Sequence, residues 1–162
     1  MLTVDEAKAI VNAVASDKEC KRRINSVLSV VPSSLGISGG IRNFGMAVIN
    51  TYSMNKFFDP SDPEIDAIVC TGIAEQTAKA IAKAAKTDPA LRNVKGTNTI
   101  SRVLNGVDHT ATLIIMNTKS YVFDWHASLD VKDPQMYPGP TDFDKGTNAV
   151  TYKAFKGFNL PK

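Results

Sequence analysis

Two cysteines, two histidines and one tryptophan are all that 162 residues supply of these types. Cys20 and Cys70 cannot form the framework of bridges that staples small secreted domains, and each is read as a free thiol. Without a Cys-x-x-Cys pair, and with so few histidines, neither a structural zinc site nor another metal or cofactor is expected. No apolar run reaches the roughly 18 residues of a membrane span. The first residues carry Asp5 and Glu6 where a signal peptide would have a basic region and an apolar stretch, so export would rely on another signal. Charge of one sign is also lacking. Nineteen Lys and Arg stand against sixteen Asp and Glu, a net +3, and the densest basic group is Lys18, Lys21, Arg22 and Arg23. That is no electrostatic footprint for nucleic acid. The stretch "LGISGG" lacks the Lys-Ser/Thr of a phosphate loop and reads as a helix-entry loop.

What is present is an ordinary globular composition, 43% hydrophobic and 22% charged. One domain over 1–162 can bury a real core. Thr3 and Glu6 make a capping box, followed by Val4, Ala7, Ile10, Val11 and Val14 at helical spacing. "DKECKRRINSVLSVV" is a second amphipathic stretch, ended by Pro32, and "IRNFGMAVINTYSMNKFF" a further predicted helix before the breaker "DPSDPE". "EIDAIVCTGIAEQTAKAIAKAAK" predicts a helix whose buried stripe is Ile73, Ala80, Ile81 and Ala84, with Thr77 between them. The periodicity then changes. "TNTISRVL", "VDHTATLIIM" and "SYVFDWHA" predict strands, with a two-residue hairpin at Asn105-Gly106 and a turn at "NTKS". A Pro/Gly/Asp-rich excursion leads to a last predicted strand, "NAVTYKAF". Helices in the first half and antiparallel strands in the second give an α+β class.

Within this layout three reactive residues fall in order: Cys70 at a helix start, His109 opening a strand, and Asp124 on the next strand. A helix N-terminus favours a thiolate. A thiol nucleophile also needs a base, and the base needs a group to fix its tautomer. If Asn117 pairs with Ser120, Leu113 faces Asp124, so His109 and Asp124 share a face but stand four residues apart along the strands. Direct opposition requires a turn nearer Met116-Asn117 or a bulge.

The nucleophile at a helix start, "DH" opening one strand and "DW" on the next resemble the papain-like cysteine hydrolases. The short Cys-to-His distance is most similar to the papain-fold deamidase domains of bacterial toxins and effectors of the dermonecrotic-toxin type. The resemblance spans about residues 65–127, and residues 1–60 form a helical part that matches no family. It implies a papain-like fold, helical half packed on an antiparallel sheet, and deamidation of Gln or Asn side chains on a host protein. It also implies manufacture in a bacterial cytoplasm, action in a target cell, and a cognate immunity protein or secretion chaperone as partner. Where several such toxins place a Gln soon after the acid, this chain has His126, which leaves the oxyanion side chain unassigned.

Rival readings attach to the same residues. Cys70 is otherwise a small core residue, and Cys20 has cationic neighbours that could lower its pKa, although a solvated helix face accounts for those charges. His126 competes with His109 as base, and Trp125 reads as core or site wall. A peptidase or a peptidoglycan amidase would use the same chemistry. A non-catalytic binding module would use none of it.

Overall fold

A computed structural model describes residues 2–23, 70–104, 107–124, 135–145, 147–148 and 150–151. The predicted helix from Ile41, the loop "LGISGG", the breaker at Asp59, and both Trp125 and His126 lie outside the described residues.

Helix α1, Val4–Ser16, starts as its capping box requires. Glu6 N–H donates to Thr3 Oγ1 at 3.1 Å and Thr3 N–H to Glu6 Oε2 at 2.9 Å. Its apolar stripe is Ala7, Ile10, Val11 and Val14, all at or near zero exposure. Val4, counted in that stripe from spacing, is instead exposed, because the first turn precedes the packed region. Residues 18–23 are helical again, entered at Asp17, whose Oδ1 accepts the Cys20 N–H at 2.8 Å. Helix α2 runs Cys70–Ala84, with Ile73, Thr77, Ala80 and Ile81 buried as predicted, while Ala84, counted in the same stripe, is only partly buried. A short 3-10 turn, Pro89–Leu91, leads into the sheet.

The strands are β1 Val94–Leu104, β2 Val107–Met116, β3 Ser120–Asp124, β4 Gln135–Pro138 and β5 Val150–Thr151. They pair in sequence order, every pair antiparallel. The class is α+β. Strand β1 begins three residues before its predicted start, with a register irregularity between Val94 and Gly96. Leu104 pairs with Val107, so the β1–β2 connection spans Asn105 and Gly106. The excursion read as irregular holds β4 and a further helix, α3, Gly139–Lys145. Its markers are visible in retrospect: Gly139 at φ 77°, Pro140 next, Asp142 in the first turn and Lys145 in the last.

The sheet has two packed faces. On one, Ile114, Phe123 and Met136 join Ile10, Val11, Ile73 and Ile81 in the main core. Each such side chain contributes roughly 1.5–3 kcal/mol when fully buried. Two threonines fasten this face to α2: Thr112 Oγ1 donates to Ala74 O and Thr97 Oγ1 to Ala78 O, both at 2.8 Å. On the other face Ala111, Val122, Tyr137 and Phe143 form a smaller cluster under α3. Alternation along β2 and β3 puts His109 and Asp124 on this second face.

Candidate active site

The β2–β3 register decides whether His109 can meet Asp124. Ile115 pairs with Ser120 and Leu113 with Val122. The Met116 N–H donates to Lys119 O at 2.9 Å, so the turn is Asn117-Thr118. The expected pairing of Asn117 with Ser120, and of Leu113 with Asp124, is therefore corrected. The two-residue turn lies one residue earlier than expected, because Asn117 leaves the ladder and Lys119 comes to face Met116. This slides β3 back along β2 and puts Asp124 level with Ala111, two residues from His109 instead of four. A diagonal of that kind spans about 7–8 Å between backbones, within reach of an imidazole and a carboxylate.

The side chains close the gap. His109 Nε2 lies 2.6 Å from Asp124 Oδ2. The imidazole side chain is 13% exposed and the carboxylate 1%. With Nε2 engaged, Nδ1 is the nitrogen left for Cys70, whose thiol hydrogen-bonds His109 and accepts the Thr110 backbone N–H. Cys70 is the first described residue of α2, 6% exposed, beside exposed Thr71. Three elements thus bring together the three residues predicted from order and spacing.

Their electrostatics are coupled. Burial opposes ionisation of Cys70, but the hydrogen bond and charge of His109, with the Thr110 N–H, outweigh it and lower the thiol's pKa. Burial likewise opposes the imidazolium, yet the Asp124 charge and hydrogen bond, helped by Cys70, raise His109 to about 10. Such a pair titrates as a unit. Both shifts act toward a thiolate–imidazolium pair backed by a buried carboxylate.

Cys20 behaves in the opposite way. Burial and then the Asp17 charge raise its thiol to about 12. The basic cluster that made it a rival does not activate it: Arg22 and Arg23 are paired to Glu19 at 2.8 Å. Cys20 is buried, not on a solvated face.

Sequence reasoning missed three neighbours. Gln135 of β4 pairs directly with Asp124 and accepts the Tyr137 hydroxyl at 2.9 Å. Arg102 of β1 pairs directly with His109 and is buried. Phe143 of α3 sets its ring 6.2 Å from the imidazole. A pattern signal existed only for Arg102, a charge in an apolar run. Between α2 and the sheet, a gap of about 10 Å³ lined by Cys70, Ala74, Thr110 and Asp124 has no room for a substrate. Among the described residues no cluster of His, Cys, Asp and Glu could hold a metal ion, and no helix is long and apolar enough to cross a membrane.

Compared with known proteins, the chain matches no family model, no curated protein and no solved structure. What the site can do follows from its geometry.

Proposed function

We propose that this chain is a cysteine-dependent amidohydrolase of papain-like type, acting as a bacterial effector that deamidates Gln or Asn side chains of a target-cell protein. The observation that carries the reading is the closed series Cys70–His109–Asp124, with the thiol pKa lowered and the 2.6 Å His109–Asp124 contact behind it. In this reading Cys70 Sγ attacks the carboxamide carbon, and backbone N–H groups at the start of α2 stabilise the oxyanion. The His109 imidazolium gives its proton to the departing nitrogen, and ammonia leaves a thioester. His109, now neutral, takes a proton from water as the water attacks the thioester carbon. Collapse expels the Cys70 thiolate and releases a carboxylic acid, restoring the starting pair. Asp124 keeps Nε2 engaged throughout, so Nδ1 always faces the nucleophile. No step needs a cofactor.

Mass spectrometry of glutaminyl and asparaginyl protein substrates tests the reading. A gain of about one dalton, abolished by Cys70→Ala, is expected from amide-to-acid conversion. Cleavage of the backbone instead would make the chain a peptidase. A wild-type chain whose Cys70 alkylates no faster than an ordinary thiol would remove the enzymatic reading altogether.

A further inference from the structure

The arginine beside the imidazole has no role in the reaction so far described. Arg102 belongs to β1, pairs directly with His109 across the β1–β2 ladder, and is 7% exposed. Cross-strand partners project from the same face of a sheet. The side chain does not leave for solvent, as an arginine usually does. It runs across the sheet face toward α3. Its guanidinium carbon lies 4.4 Å from the centroid of the Phe143 ring and 5.5 Å from that of Tyr137. Nη1 donates to the Phe143 carbonyl, one of the orphan acceptors in the last turn of a seven-residue helix. Phe143 is fully buried, meets Tyr137 edge-on at 5.3 Å, and presents its ring to His109.

Burying a guanidinium is costly, and Arg102 Nε has no hydrogen-bond partner among the described residues. A cation so placed is poorly explained as a source of stability, since an apolar side chain would fill the space at lower cost. What it does is geometric. The guanidinium fastens a short helix, which could not hold its place alone, over the imidazole from the side opposite α2.

We propose that Arg102 is a positioning residue of the active site, a strut from β1 to α3 that seats the Phe143 ring against His109 and keeps water from the His109–Asp124 pair. The proposal rests on the amidohydrolase reading above. The charged and titratable groups placed about His109 among the described residues are Cys70 from α2, Arg102 from β1, Asp124 from β3 and Tyr137 from β4. The aromatic ring from α3 completes the enclosure. Loss of the strut lets water approach the imidazolium and weakens its attraction for the thiolate, because ion pairing is strongest where water is excluded.

The test is the pH profile of Cys70 alkylation by iodoacetamide, read by peptide mapping on the full chain, with the melting temperature recorded beside it. Arg102→Met should move the acid limb of the profile upward by about one pH unit. Arg102→Lys keeps the charge but can neither stack flat nor fork, so it should move the limb in the same direction. Should Arg102→Met fail to fold, Phe143→Leu, which leaves the backbone carbonyl available to Arg102, reports the same shift. Profiles of folded variants that superimpose on the wild type overturn the strut, as does full rescue by lysine, which would make charge alone the cause. A wild-type profile showing no enhanced reactivity below neutrality would instead defeat the amidohydrolase reading itself.

Discussion

Cys20 and Cys70 are both buried and both helical, yet their thiols are driven in opposite directions. Burial in a helix therefore does not decide reactivity. At Cys20 the N-terminal donors are already taken, because Asp17 accepts the Cys20 N–H, and the carboxylate opposes a second negative charge nearby. At Cys70 the neighbour is an imidazole that a buried carboxylate keeps cationic. Burial raises a thiol's pKa in both places, and at Cys70 the hydrogen bond and charge of His109, with the Thr110 N–H, reverse it. Near Cys20, Arg23 does favour the thiolate, but its effect is smaller than those of burial and Asp17, and both arginines are paired to Glu19.

The contrast can be broken at its source. His109→Ala removes the countercharge and the base together, and turnover should fall by roughly 10⁴-fold. The labelling rate of Cys70 at mildly acidic pH should fall with it toward that of Cys20. In the intact chain, iodoacetamide at pH 6 should modify Cys70 faster than Cys20 by on the order of 10²–10³, a figure limited by the lower intrinsic nucleophilicity of an acidic thiolate. Preferential labelling of Cys20 would reverse the assignment of the nucleophile.

A change at Asp124 tunes the contrast. Asp124→Asn keeps a hydrogen-bonding partner for Nε2 but not the charge, and should cost about tenfold in turnover; Asp124→Ala should cost about a hundredfold. His109 is raised above its ordinary 6.5, so its contribution to stability is fully present below 6.5 and lost as pH rises through about 10. Cys70 is lowered, so its contribution is present above its unfolded value and lost as pH falls. Melting temperatures of Asp124→Asn between pH 6 and 10.5 should show a flatter alkaline decline than the wild type. An unchanged decline would mean that the carboxylate does not hold the proton on His109. The smallest effect belongs to the other cysteine. Asp17→Ala should lower the folding free energy by about 1 kcal/mol through the lost cap, while Cys20 becomes somewhat less resistant to alkylation and stays slower than Cys70.

Much of this site was legible in the sequence, for identifiable reasons. Cys70, His109 and Asp124 were visible because titratable residues stand out against the alanine-rich α2 and the apolar β2 and β3. The two-residue period told which face His109 and Asp124 share. Register was not legible, because it depends on which of Met116, Asn117 and Thr118 leaves the ladder, and no glycine marks the turn. Strand β4 and helix α3 were hidden by their brevity, four and seven residues, inside a segment whose Pro and Gly read as breakers. With them went Gln135, Tyr137 and Phe143, and so the reason for a buried arginine at position 102. The burial of Cys20 was hidden too, since the charges flanking it in sequence point away from the core it enters.

The two threonine hydroxyls that grip Ala74 and Ala78 divide the site mechanically. They tie α2 to β1 and β2 at successive helical turns, so Cys70 and His109 are carried by elements fastened to each other. Asp124 follows β3, which is laddered to β2 from Thr112–Phe123 to Ile115–Ser120 and joined to it by the exposed Asn117-Thr118 turn. Lengthening that turn would leave the thiol–imidazole spacing untouched while giving the carboxylate freedom to drift. In the proposed reaction the same architecture leaves the carboxylate as the adjustable part, the place where breathing of a single strand would slow turnover without unfolding the protein.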